Sequence, residues 1–227
     1  TVNALTDTGT GSGGAGGTGD LRYCITQTNA SAGTDIINVM TLGTVLLNSN
    51  LPYISDNVMI LGSNQDFFIV DAQNGENRRG FEIDAPAGVT VTIRYMTIRN
   101  GNITSSGIGS GGGISLISGA TLNLEFVNII NNKSVDGGAG IYVNGSNLNI
   151  QNSRITGNNS TSFGAGGGAI NFFNGTLSMS GTNVSGNNAS NGGAMAFAFV
   201  NLARIENSSI TGNNALRGGG IYNSGNL

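Results

Sequence analysis

The chain has 227 residues, of which 9% are charged, with a net charge of -3, no histidine and one cysteine. This balance offers no basic patch for nucleic acid, and without histidine it lacks the commonest acid–base catalyst and metal ligand. A lone cysteine leaves no internal disulfide, and no apolar run reaches the length of a membrane span.

Residues 1–35 differ in pattern from the rest of the chain and are read as an N-terminal cap. A short apolar segment (Val2, Ala4, Leu5) precedes a Gly-rich stretch from Gly9 to Gly19. Asp20 has the chemistry of a helix N-cap. Leu21, Cys24, Ile25 and Thr28 then fall on one helical face. The spacing predicts a short amphipathic helix over residues 20–30 that covers the open end of a stack. No charged-then-apolar leader opens the chain, so Thr1 is expected to be a mature or an artificial terminus.

From Asp35 the apolar period switches from helical to two. Ile37 and Val39, Val45 and Leu47, Val58 and Ile60, Phe68 and Val70, and Phe81 and Ile83 alternate as strands do. Asn, Asp, Gly and Pro52 punctuate them as turns.

From Val91 onward the chain repeats. The anchors Ile93, Leu124, Ile150, Met179 and Ile205 are spaced by 31, 26, 29 and 26 residues. After each comes an Asn-rich turn and a Gly-rich run ending at Ile114, Ile141, Ile170, Met195 and Ile221, spaced by 27, 29, 25 and 26. Units of this length cannot bury a core alone and must stack. Each supplies three short strands with an inward pair, such as Leu122 and Leu124, Val127 and Ile129, Ile141 and Val143. The prediction is an all-β, right-handed parallel β-helix over residues 36–227. It has about seven turns, roughly 34 Å at 4.8 Å per turn, behind a capping strand and helix. The final residues, Ser224 to Leu227, match Gly145 to Leu148, the start of another turn. The C-terminal end is therefore expected to be open, continuing into further turns or stacking on a partner.

Two columns run through the repeats. Asn132, Asn158, Asn187 and Asn213 share one position, with Lys133, Asn159, Asn188 and Asn214 beside them. Asn tolerates left-handed backbone and bonds to nearby main chain, and stacked amides bond to one another. These residues are expected to form a structural ladder; a polar binding strip is the other reading. The Gly runs suit tight corners and close layer contact. A phosphate cradle needs a helix after the glycines, whereas a strand comes after each run here. Length varies most between the Asn turn and the Gly run, so insertions gather on one edge of the rod, where repeat proteins place contacts.

The segment Gly19-Asp20-Leu21-Arg22-Tyr23-Cys24-Ile25 resembles the "GSLRxAI" capping segment of bacterial surface β-helix proteins. The repeated Asn-Asn turn and Gly-Gly-Gly-Ile run, as in Asn213-Asn214 to Ile221, is similar to the repeats of polymorphic outer-membrane (Pmp-like) and autotransporter-passenger proteins. Asp20 stands where that pattern has Ser, Cys24 where it has Ala, and the Gly-rich stretch before the cap is long. The resemblance covers nearly the whole chain. It implies a right-handed, secreted or surface-displayed rod, often adhesive.

Chemistry is sparse. β-Helices also host polysaccharide lyases and glycosidases, which need clustered carboxylates. The densest group here is Asp66, Asp71, Glu82 and Asp84 with Arg78, Arg79 and Arg94, read as turn residues and solvated ion pairs. Cys24 lacks a histidine partner and reads as a buried cap residue. Thr90 and Thr92 form no extended Thr array of the kind ice binding requires, and the ten Asn-x-Ser/Thr sequons are what so Asn-, Ser- and Thr-rich a chain produces. No catalytic, cofactor or metal residue is assigned. The expectation is a non-enzymatic extracellular or cell-surface rod, an adhesin part or a filament subunit. Its expected partner is a host-surface or matrix protein, a glycan, or another copy end to end, with no nucleic acid and no membrane insertion by this segment. The alternative is a carbohydrate-active enzyme.

Overall fold

A computed structural model describes residues 1–14, 16–106, 110–161 and 166–225. The final Asn226 and Leu227, and the centres of the two longest Asn-to-Gly connections, lie outside the described residues. Over the rest the chain is a nearly all-β solenoid of about seven turns with one helix.

Three walls run along the rod. The first stacks Asp35–Asn38, Val58–Leu61 and residues 91–94, 121–125, 147–151, 175–180 and 202–206. The second stacks Gly43–Leu46, Phe68–Asp71, residues 97–99 and 127–130, Arg154–Thr156, Asn183–Ser185 and Ser209–Thr211. The third stacks Phe81–Asp84, Ile114–Ile117, residues 141–144, 170–173 and 195–198, and Ile221–Asn223. Every one of these pairings is parallel, and parallel strand crossovers coil right-handed as a rule.

A corner explains why one continuous strand serves two walls. In Thr90–Arg99 the inward residues are Val91 and Ile93, then Met96 and Ile98, so the alternation slips by one residue at Tyr95. Tyr95 has φ 57°, and the equivalent corners at Phe126, Asn152, Gly181 and Asn207 have φ from 47° to 58°. A single left-handed residue turns the backbone and keeps both apolar pairs facing in. A second column needs glycine itself. Gly111, Gly138, Gly192 and Gly218 have φ from 57° to 89°, and a Cβ there would sit 2.1–2.5 Å from the carbonyl oxygen three residues on.

The structure also holds a fourth ladder that apolar alternation does not announce. Asn102–Ile103, Lys133–Ser134, Asn159–Ser160, Asn188–Asn191 and Asn214–Arg217 pair in parallel just past the Asn corner. Ile103 is its one large inward residue among those described; the inward residues after it, Ser134, Ser160 and Ala189, are buried but small or polar, so the column leaves no recurring hydrophobic signature.

The core is one apolar cluster running the length of the rod, from Leu21 and Ile25 of the cap to Phe197. Phe172 and Phe197 meet edge to face inside it, ring centres 6.3 Å apart. In the last turn Ile205 and Ile210, which no further described turn covers, are only partly buried.

The cap combines a two-residue antiparallel hairpin, Gly11–Ser12 with Thr18–Gly19, and the helix Leu21–Asn29. The helix buries Leu21, Cys24, Ile25 and Thr28. Val2 bridges both Gly19 and Val39, which ties the first residues to the rod.

Candidate functional site

The Asn column lies inside the rod. Asn132, Asn158 and Asn187 are fully buried. The backbone N–H and Nδ2 of Asn132 both donate to Asn158 Oδ1 at 3.0 Å. Asn158 does the same to Asn187 Oδ1 and Asn187 to Asn213 Oδ1, all at 2.9 Å. Each Nδ2 also donates to a carbonyl of the turn below: Ile98, Ile129, Ile155 and Val184 in order. Gly101, one turn earlier in register, donates its N–H to Asn132 Oδ1. The amides are thus occupied by one another and by main chain. The neighbouring column is external: Asn188 Nδ2 donates to Asn159 Oδ1 and Asn214 Nδ2 to Asn188 Oδ1, at 2.9 and 2.8 Å on the exposed side.

The cap centres on Asp20. Its Oδ1 accepts the Tyr23 N–H at 2.9 Å, capping the helix, and its Oδ2 accepts the N–H groups of Thr8 and Gly9 at 2.8 Å and Thr10 at 3.3 Å. Burial alone would raise this carboxyl, but the backbone donors outweigh it and hold the group below the ordinary Asp value. Leu21 and Ile25 are fully buried. Cys24 Sγ donates to the Thr1 carbonyl at 3.4 Å, and burial pushes its thiol up.

The acidic and basic group does not assemble into one centre. Asp71 closes on Arg99 at 2.7 Å and accepts from Asn100. Arg94 pairs with Glu125 at 2.7 Å, and Asp84 accepts from Ser118. Arg79 is buried, 3.9 Å from Glu82, and donates to the Ser110 carbonyl. Arg78 donates to the Leu47 carbonyl. Asp66 and Asp71 bracket one second-wall strand, whereas Glu82 and Asp84 sit on the third wall. Among the described residues no cluster of three or more His, Cys, Asp or Glu has the spacing to hold a metal.

Asp66 belongs instead to a cleft that apolar periodicity did not reveal. Between Val58–Leu61 and Phe68–Asp71 the chain leaves the tight corner path. Gly62 starts this detour against the rod, where a Cβ would sit 2.1 Å from the Tyr95 carbonyl oxygen. Asn64 Oδ1 accepts the Asp66 N–H at 2.8 Å, and Thr97 Oγ1 donates to the Gln65 carbonyl at 2.6 Å. Asn128 Nδ2 reaches both Asp66 Oδ1, at 3.4 Å, and Thr97 Oγ1. The loop and the corner above it flank an open cleft of about 360 Å³ lined by Ser63, Asn64, Gln65, Asp66, Tyr95 and Phe126. The Tyr95 and Phe126 rings stack 5.3 Å apart at 16°. Both hold left-handed backbone, which is strained for an aromatic residue, where later turns use Asn152, Gly181 and Asn207. Their shared repeat position, two residues past Ile93 and Leu124, was the signal available in the sequence.

The chain matches no protein-family model, no curated protein and no solved structure.

Proposed function

We propose that this chain is a non-enzymatic structural or adhesive rod that works outside the cell or at its surface. One observation carries this reading. The polar columns are engaged in holding the rod together: the Asn132–Asn213 amides bond turn to turn, Asp20 holds four backbone amides of the cap, and Asp71 closes on Arg99 of the next turn. A rod built this way presents long lateral walls, and extended surfaces of this type are what solenoids use for contact. The cap segment and the Asn-Asn/Gly-Gly-Gly-Ile repeats, similar to those of polymorphic outer-membrane and autotransporter-passenger proteins, support surface display in a bacterium. No helix among the described residues is long and apolar enough to cross a membrane.

Two experiments test the reading. An antibody against the purified chain should label intact source cells; labelling only after lysis would contradict surface display. Incubation with uronate polymers and neutral polysaccharides should release neither new reducing ends nor unsaturated products. Product release that disappears in Asp66→Ala or Asp71→Ala would establish a carbohydrate-active enzyme instead.

A further inference from the structure

We propose that the cleft between the 63–66 loop and the Tyr95–Phe126 corner is a binding site for a neutral pyranoside. The inference deepens the adhesive reading and rests on it only in expecting binding without turnover.

Its lining has the mixed character of a small-ligand site: apolar ring surface with a few polar groups around it, at a volume in the range of about 300–1,000 Å³ such sites occupy. Tyr95 is 40% exposed, and its ring offers apolar surface on which the C–H groups of a sugar ring pack. Around it stand the Ser63 hydroxyl, the Asn64 and Gln65 amides, the Asp66 carboxylate and the Tyr95 hydroxyl. These donors and acceptors suit vicinal hydroxyls. Asp66 and Asn64 are exposed, and the hydrogen bond from the Asp66 N–H to Asn64 Oδ1 fixes the loop in shape.

Charge narrows the ligand class. The lining contains a carboxylate and no Lys or Arg, so a uronate or sialate would meet repulsion with no cation to offset it. Cleavage by the usual route needs a second carboxylate across the scissile bond, and Asp66 is the one carboxylate among the lining residues.

The strain at the corner separates a binding role from a packing role. Glycine suits φ of 57° and 54° better than Tyr or Phe does. The variants Tyr95→Gly and Phe126→Gly should therefore keep the fold, while a purely structural aromatic pair would leave saccharide binding untouched. Cellotriose, lactose, chitotriose and trigalacturonate would be titrated against the whole chain by saturation-transfer NMR and calorimetry, with circular dichroism as the check on folding. At least one neutral saccharide should bind with Kd of about 1 mM or tighter, and Tyr95→Gly and Asp66→Ala should each weaken it by ~10-fold or more. No binding of any neutral probe, binding unaffected by both variants, or trigalacturonate binding as tightly as the neutral sugars would overturn the proposal. The rod reading survives those outcomes. Conversely, cleavage of a bound probe by the unaltered chain would support the cleft and sink the non-enzymatic reading.

Discussion

Asn158 and Asn187 are joined twice: the backbone N–H and the Nδ2 of Asn158 both donate to the same Oδ1 of Asn187, each at 2.9 Å. The two residues lie one turn apart, and both are fully buried. A main-chain donor and a side-chain donor thus converge on one oxygen in a dry interior, where an unmet polar group costs most.

Removing one rung should therefore be expensive. Asn158→Ala strips the acceptor from two groups of Asn132, one of the two donors from Asn187 Oδ1, whose backbone donor remains, and the donor from the Ile129 carbonyl. A loss of about 3–5 kcal/mol in urea unfolding is expected. Asn214→Ala, in the exposed column, should cost less than about 0.5 kcal/mol. Equal costs would mean that the buried column contributes no more than the external one.

Ile155 and Ile210 occupy the same position two turns apart, yet Ile155 is fully buried and Ile210 only partly so. Ile155→Asp should destabilise by more than roughly 4 kcal/mol because it places an unpaired charge in the core. Ile210→Asp should cost less than about 2 kcal/mol. Thermal or urea unfolding of both variants reads the difference, and similar losses would contradict the inward register.

Much of this architecture was legible in the sequence because apolar side chains alternate wherever a wall is lined by Val, Leu, Ile or Met. The column of Asn132, Asn158, Asn187 and Asn213 was visible because one residue type recurs at one position. The fourth ladder was not, since Ser134 and Ser160 line it from inside and read as turn residues. Nor was the cleft. It depends on contacts between the loop and a later turn, such as Thr97 with Gln65, 32 residues apart in the chain. Acids close in sequence, Asp66 to Asp84, were separated by the corner between the second and third walls.

Acid should be the pH extreme that loosens the rod. Asp20 and Asp71 both titrate below the ordinary Asp value of 3.8: for each, burial raises the carboxyl, but backbone donors for Asp20, and Asn100, Gln73 and Arg99 for Asp71, lower it further. A folded-state value below the unfolded one contributes stability above the unfolded value, and that contribution is lost as pH falls toward the folded value. With no histidine in the chain, the unfolding temperature should be flat from about pH 5 to 8 and fall below about pH 4. A transition centred between about pH 5 and 7 would contradict this assignment.

Cys24 reports on the cap. It is 5% exposed, and burial pushes its thiol up, so both access and thiolate formation are suppressed. Labelling by a thiol reagent should wait for the helix to open. Asp20→Ala removes the helix cap and the acceptor of the Thr8, Gly9 and Thr10 amides, and should speed labelling by about 10-fold or more. Rapid labelling of the unaltered protein would mean that the cap does not cover its end of the core.

Native-state hydrogen exchange tests the stacked-turn account most directly. The backbone amides of Asn132, Asn158 and Asn187, bonded into the next turn inside the rod, should be among the slowest in the chain and exchange only in global unfolding. Protection of these amides no greater than that of the exposed loop at residues 63–66 would show that the turns are not locked together by the buried column.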